Sequence, residues 1–181
     1  MSLDFVSKSG FGFVEGEITY SKSLSSCESR FDLVSYHLAD DSLLDDLKKI
    51  VTGLYINSRF KEPWFSENER DDFYRCWLRN AILAKFDDCC LVIKTNEDIS
   101  GFVTLRIRQE EATIGLIGVA PSYHGKGIGK KLIDIVEAYC ARRGVNSISV
   151  STQKSNIAAT NLYIKTGFST TEKSYWFYKQ V

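Results

Sequence analysis

IGLIGVAPSYHGKGIGKKLI, residues 114–133, holds five of the chain's twelve glycines and one of its two prolines. Its first half is an apolar run that stops at Pro121, which reads as a strand ended where a ladder donor is lost. Its second half opens on Gly125, Gly127 and Gly129 and continues with Ile128, Leu132, Ile133, Val136, Tyr139 and Cys140 at helical spacing. Arg142-Arg143-Gly144 closes that helix, since cations suit its negative end and glycine the left-handed position after it. Val145 to Ser151 then alternates as a strand. Strand, helix and strand make a parallel crossover of the usual short length.

Working upstream, Gly101–Arg108 and Cys89–Ile93, separated by Asn96-Glu97-Asp98, carry a hairpin signal, and Gln109-Glu110-Glu111 turns into the strand from Thr113. These three strands form a meander. Ser66 and Glu69 make a capping box for a helix that places Phe73, Trp77, Ala81 and Ala84 on one face and ends near Lys85. NSRFKEPWF (57–65) is irregular, because Pro63 interrupts any helix through it. A further helix runs from about Leu38 to Ile50 on Leu43, Leu44, Leu47 and Ile50, with Asp40, Asp41 and Ser42 as cap candidates. Downstream, Asn156 caps a helix through Tyr163 that Gly167 ends, and the aromatic tail Phe168–Val181 reads as paired strands. The fold class is α+β, a mixed and mostly antiparallel sheet with helices on its faces. One internal echo stands out: Lys8, Gly10, Phe11, Glu15 and Lys22 recur as Lys165, Gly167, Phe168, Glu172 and Lys179 at a constant offset of 157. Either short helix-end and strand pieces match by chance, or residues 1–25 are a remnant of a duplicated lobe preceding a domain of residues 30–181.

Length and charge narrow the functional classes. A chain of 181 residues with 44% hydrophobic content can bury one core. Its 23 basic and 23 acidic residues cancel, which argues against neutralising a nucleic acid or an anionic membrane. Within that zero sum, Lys126, Lys130, Lys131, Arg142 and Arg143 gather on or beside the glycine-opened helix and suggest a small anion site. With no long apolar run and a polar N-terminus, the protein is expected in the cytosol. Five cysteines without a C-x-x-C pair indicate reduced, mostly core residues rather than a metal or redox site, so no metal is expected.

A glycine turn opening a helix presents backbone N–H groups and positive partial charge to an anion. The spacing here fails both the Walker loop, because Lys131 stands where Ser or Thr belongs, and the G-x-G-x-x-G dinucleotide fingerprint. With Val119-Ala120-Pro121 before it, and with Asn156, Ala159, Tyr163, Gly167 and Phe168 in NIAATNLYIKTGF after it, the run resembles the acetyl-CoA-binding core of the GNAT N-acetyltransferase superfamily. The resemblance implies that acetyl-CoA lies against Ile117, Gly118, Val119, the loop His124, Gly125, Lys126, Gly127, Ile128, Gly129 and Lys130, and Asn156. His124 stands where that family usually has Gln or Arg. Gly115 and Gly118 suggest a bulge that splays this strand from the next and opens the acetyl-CoA slot.

GFGFVEGE (10–17), NSRFKEPWF (57–65), FYRCWLRNAI (73–82), FDDCCLVI (86–93) and YWFYK (175–179) extend the resemblance to the bacterial dTDP-fucosamine (dTDP-4-amino-4,6-dideoxygalactose) N-acetyltransferases. Those resemble a GNAT lobe behind a degenerate N-terminal lobe, most of which is absent here. The implied activity is direct acetyl transfer to the amine of a nucleotide-linked aminodeoxysugar. The chain has two histidines and no Cys or Ser beside one, which agrees with a mechanism lacking an acyl-enzyme.

Tyr163 is the candidate acid for the departing thiolate, since a phenol with a pKa near about 10 matches a thiol; the bland alternative is packing. Glu62, Glu110 and Glu111 are candidate bases, and a water chain is the alternative. Arg59 suits a diphosphate and Phe60 or Trp64 a base or sugar, unless this segment is a structural turn. A different amine acceptor, a protein N-terminus among them, or a non-catalytic acyl-CoA-binding module are the competing readings. A homodimer is compatible with all of them.

Overall fold

The computed structural model describes residues 6, 8–24 and 35–179. Cys27, and the expected boundary between residues 25 and 30, lie outside the described residues. A seven-stranded sheet runs through the molecule: β1 Gly12–Ser23, β2 His37–Leu38, β3 Cys89–Thr95, β4 Asp98–Arg108, β5 Glu111–Val119, β6 Ser147–Gln153 and β7 Ser169–Tyr178. In space the order is β2-β3-β4-β5-β6-β1-β7. The one parallel pair among the described residues is β5 with β6, joined by helix α3, Ile128–Ala141.

Local chemistry accounts for most elements. Asn96 and Glu97 both take positive φ (51° and 68°), the conformation of a tight turn whose twist matches the β3–β4 hairpin. Helix α1, Leu44–Val51, is entered through a 3-10 turn that the Asp40 carboxylate caps at Ser42 N–H. Helix α2, Glu67–Ile82, begins on the expected capping box, with Ser66 and Glu69 bonded reciprocally. Helix α4, Ile157–Lys165, is capped by Asn156 Oδ1, which accepts from Ala159 N–H at 3.1 Å.

Two expectations change. The buried face of α2 is Arg70, Tyr74, Leu78 and Ala81, not Phe73, Trp77, Ala81 and Ala84. Phe73 and Trp77 instead lie at the margin of the core, Phe73 tilted against Phe60 and Trp77 edge-on to Phe86. The helix stops at Ile82, and Ala84 turns the chain with φ 51°. The C-terminal tail is one strand rather than a pair, and its partner is β1 from the other end of the chain.

The sheet separates two cores. On one face Leu91, Ile93, Val103 and Leu105 pack against Leu132, Ile133, Val136 and Cys140 of α3 and Tyr163 of α4. On the other, Cys90, Val92, Phe102 and Leu116 pack against Leu47 and Val51 of α1 and Leu78 of α2. Adjacent residues of β3 and β4 serve opposite cores, as the period of two demands. Cys89, Cys90 and Cys140 are free and buried, and Cys76 is free and exposed.

The sequence echo has a geometric counterpart. Gly10 and Gly167 share left-handed φ (81° and 88°) and each leads into one of the two paired strands β1 and β7. Lys22, at the end of β1, lies over Phe168 at 5.9 Å, and Lys179, after β7, lies over Phe11 at 5.7 Å. The two helix-end pieces and their strands are therefore related by an approximate two-fold axis between β1 and β7.

Candidate active site

The parallel pairing of β5 with β6 ends at Ile114 and Val150. Beyond it β5 runs on to Val119 along β4, while β6 runs on to Gln153 along β1, and the two diverge. A bulge helps: between Val103/Ile117 and Leu105/Ile114, two residues of β5, Gly115 and Leu116, face Thr104 alone. Thr104 Oγ1 accepts from Leu116 N–H at 2.8 Å and donates to the buried Asp87 Oδ2 at 2.6 Å, and Trp77 Nε1 donates to the same oxygen at 2.9 Å. Glycine is required here because a Cβ on residue 115 would overlap the Asp87 carboxylate. At Gly118 a Cβ would come within 2.5 Å of Phe102 Cε1 and 2.6 Å of Leu54 Cδ2.

Two cavities occupy the opening. The larger, about 530 Å³, is lined by Ile117, Gly118, Val119, His124, Gly125, Gly127, Ile128, Gly129, Asn156 and Tyr163, together with Leu54 and Tyr55. Nine of the residues expected against acetyl-CoA are thus brought together. Gly127, in the left-handed conformation (φ 77°), occupies the N-cap of α3 with no side chain to cap it, so the N–H groups of the first turn face outward uncapped. A Cβ on Gly125 or Gly127 would meet nothing within 4 Å, so an anion can approach the backbone closely there.

Lys126 and Lys130 do not line it. Lys130 Nζ pairs with Asp134 at 2.8 Å along the exposed face of α3, and Lys126 Nζ lies 5.0 Å over the Tyr123 ring. Arg142 and Arg143 follow the opposite end of α3, about 21 Å away for fourteen residues. The basic cluster expected around the loop is therefore spread along a whole helix. His124 bonds Val119: its Nε2 lies 2.9 Å from the Val119 carbonyl, so Nε2 carries the hydrogen and braces the loop against the strand end. The Ile117 carbonyl accepts from Tyr55 Oη at 3.2 Å. Each carbonyl retains a second lone pair.

The smaller cavity, about 290 Å³, lies between Gly115–Ile117 and Val150–Gln153 and is lined also by Glu17, Tyr55, Arg59, Phe60, Tyr74, Trp77, Arg106, Asn156 and Tyr163. Arg59 and Phe60 are in its wall. Trp64 is not: it packs edge-on to Tyr178 at 5.7 Å and lies against Gly12, lining a separate outer groove. The peptide turns between Phe60 and Trp64, and Phe60 inserts toward Tyr74 while Trp64 faces β1 and β7. None of Glu62, Glu110 and Glu111 lines either cavity; Glu110 accepts from Asn146 Nδ2 at 2.6 Å at the far end of β5. The sequence reading missed Glu17, Tyr55, Tyr74, Trp77 and Arg106, which meet here from four separate segments, β1, the stretch after α1, α2 and β4.

Tyr163 and Asn156 belong to both cavities. The Tyr163 ring is wedged between Tyr20 at 5.6 Å and Phe168 at 5.8 Å, and its hydroxyl has no hydrogen-bond partner among the described residues. Burial, with a smaller contribution from Tyr20, pushes its pKa above the ordinary phenol value. The same cause holds the Tyr55 phenol well above its ordinary value.

The 57–65 segment is anchored by Glu15. Its Oε2 accepts from Lys61 Nζ at 3.1 Å and Ser155 Oγ at 3.0 Å, and Oε1 accepts from Gly16 N–H at 3.0 Å. Burial alone would raise the Glu15 pKa; the hydrogen bonds from Lys61, Ser155 and Gly16, with the Lys61 charge, outweigh it and hold the carboxyl below its ordinary value of 4.5. A carboxyl with a lowered folded pKa stabilises the fold above the unfolded value, and that contribution is lost as pH falls through the folded one. Glu15→Gln is expected to lower stability at pH 7 by about 1–2 kcal/mol, with the difference from wild type narrowing below pH 4.5 in melting curves recorded against pH.

Among the described residues no group of three or more His, Cys, Asp and Glu could hold a metal ion, and no helix is long and apolar enough to cross a membrane. Residues 53–168 match the acetyltransferase (GNAT) family. A dTDP-fucosamine acetyltransferase of Escherichia coli O6:H1 is 30% identical over 179 residues, spanning 98% of this chain and 75% of that protein. The spore coat polysaccharide biosynthesis protein SpsD of Bacillus subtilis is 27% identical over 119 residues, 66% of this chain and 40% of its own length. Among solved structures, a PaiA N-acetyltransferase of Thermoplasma acidophilum in complex with coenzyme A superposes with a TM-score of 0.64 at 19% identity, over 82% of this chain and all of that one.

Proposed function

The chain belongs to the acetyltransferase (GNAT) family, and from that premise we propose that it moves the acetyl group of acetyl-CoA onto the amine of a nucleotide-linked aminodeoxysugar of the dTDP-4-amino-4,6-dideoxygalactose type. The observation that carries this reading is Tyr163 in the wall shared by two cavities, one rich in glycine backbone, the other in arginine and aromatic side chains. A thioester and an amine entering from opposite sides would meet beside it. The sugar-nucleotide class draws on Arg59 and Arg106, which suit a diphosphate, on Phe60 and Trp77, which suit a ring, and on the relative named for dTDP-fucosamine.

In this reading the N–H groups of Gly125, Gly127 and the uncapped first turn of α3, residues 128–130, hold the pyrophosphate of acetyl-CoA. The backbone of Ile117, Gly118 and Val119 aligns the pantetheine arm. Asn156 caps α4 with Oδ1 and turns its amide, which has no partner among the described residues, to both cavities. The amine attacks the thioester carbonyl directly, and Tyr163 protonates the departing sulfur. A phenol whose pKa lies above the ordinary value is fully protonated at neutral pH, which is the state an acid needs. Residues 1–25 are read as the remnant of a duplicated lobe, with β1 shared into the sheet of the domain 30–181; the reciprocal Lys22–Phe168 and Lys179–Phe11 contacts support that duplication.

Two measurements test the proposal. Acetyl-CoA at about a hundred times its Kd should stabilise the fold by about 2.7 kcal/mol, read as a melting shift of roughly 5–10 °C for a chain of this size. Thiol release should follow addition of dTDP-4-amino-4,6-dideoxygalactose. Release with spermidine or a peptide N-terminus but not with the sugar nucleotide would replace the acceptor. A melting shift with no release from any amine would favour an acyl-CoA-binding module.

A further inference from the structure

We infer that Glu17, on β1, is the group that receives the proton of the incoming amine. Among the described residues it is the one carboxylate lining the cavity that shares Tyr163 with the glycine-rich slot. Its side chain is 17% exposed and its Oε2 lies 3.3 Å from Arg59 Nη1. Arg59 is itself fixed, its guanidinium 3.8 Å over the Trp176 ring and 4.8 Å over that of Phe60. The carboxylate is thus held at the cavity wall by a stacked arginine, with a single ion-pair contact that leaves Oε1 available to a ligand.

Its position on the sheet also fits. Glu17 is opposite Gln153 on β6 and Ser174 on β7. Gln153 is the last residue of the strand that diverges from β5, so Glu17 stands beside the opening between the diverging strands. The titratable and charged groups around the same cavity are Arg59 from the 57–65 segment, Arg106 from β4, Tyr74 from α2, Tyr55 and Tyr163. None of the others is an anion at neutral pH. An ammonium entering a cavity with two arginines is attracted to its one carboxylate.

The step balances with Tyr163. The ammonium gives one proton to Glu17, and the freed lone pair forms the C–N bond to the acetyl carbon. As the C–S bond breaks, Tyr163 Oη–H protonates the sulfur, and the second proton on nitrogen returns to the tyrosine oxygen. Amide, thiol and a protonated Glu17 result, and Glu17 loses its proton to water.

The inference rests on the acetyltransferase reading of the two cavities and not on the identity of the acceptor. The test therefore uses dTDP-4-amino-4,6-dideoxygalactose, or spermidine if wild type acetylates only that; the second case removes the sugar nucleotide without touching Glu17. Glu17→Gln keeps an acceptor for Arg59 and removes the base. It is expected to lower kcat/KM for the amine at pH 7 by about 100-fold or more and to abolish the acid limb of the pH profile, with the acetyl-CoA melting shift intact. Glu17→Asp should recover part of the rate and keep the acid limb. Activity of Glu17→Gln within about 3-fold of wild type with an unchanged profile, or loss of the acetyl-CoA shift in both variants, would overturn the assignment.

Discussion

Tyr163→Phe is expected to lower kcat by about 10²–10³-fold while leaving acetyl-CoA binding and stability nearly unchanged. The separation follows from the surroundings of the ring. Tyr163 is 1% exposed, its ring packs between Tyr20 and Phe168, and its hydroxyl bonds to nothing among the described residues. Phenylalanine fills the same space, and no hydrogen bond is lost with the oxygen, so the melting temperature should hold or rise slightly. A tyrosine retained for packing would lose nothing on this substitution. The pH profile adds a second check. Because burial raises the Tyr163 pKa, its protonated form persists as pH rises, and no alkaline loss of kcat below about pH 10 should trace to it. Unchanged turnover at saturating substrates would remove Tyr163 from the chemistry.

Gly115→Ala is expected to be more damaging than the same change at any other glycine among the described residues. The added Cβ overlaps Asp87 Oδ2 and comes within 2.8 Å of Thr104 Oγ1, and both neighbours are almost wholly buried. Asp87 cannot move without leaving Trp77 and Thr104, and its Oδ1 already lacks a partner among the described residues. Thr104 cannot move without releasing Leu116 N–H, which holds the β5 bulge. Overpacking and the broken network together should cost about 2–4 kcal/mol, a fall in melting temperature of roughly 5–15 °C. Because Thr104 holds the β5 bulge beside the β5–β6 opening, the surviving fold is expected to lose its melting shift with acetyl-CoA. A variant that melts with wild type and still responds to acetyl-CoA would show that the bulge does not depend on this contact.

The glycine-rich run was legible because its signals are local. A proline that ends a strand, an N-cap glycine and an Asn cap each act within a few residues, and the structure has Pro121, Gly127 and Asn156 in those places. Legibility failed where side chains choose among partners. Lys126 and Lys130 read as anion ligands by proximity in sequence, yet an aspartate one turn away takes Lys130. Trp64 and Phe60 are four residues apart and equally aromatic, and the turn between them sends only Phe60 to the cavity.

By itself the sequence determined the class of fold, the meander, the crossover and the glycine-rich slot, because turns, caps and hydrophobic periodicity are short-range effects written into neighbouring residues. Tertiary structure alone decided the second cavity. β1 enters the sheet between β6 and β7, with Glu17 opposite Gln153 and Ser174 across more than a hundred residues of chain. Pairing at that separation uses the edge of β6 that faces away from β5, and no local pattern encodes which distant strand takes it. The carboxylate, the stacked arginine and the phenol consequently meet only in the folded molecule.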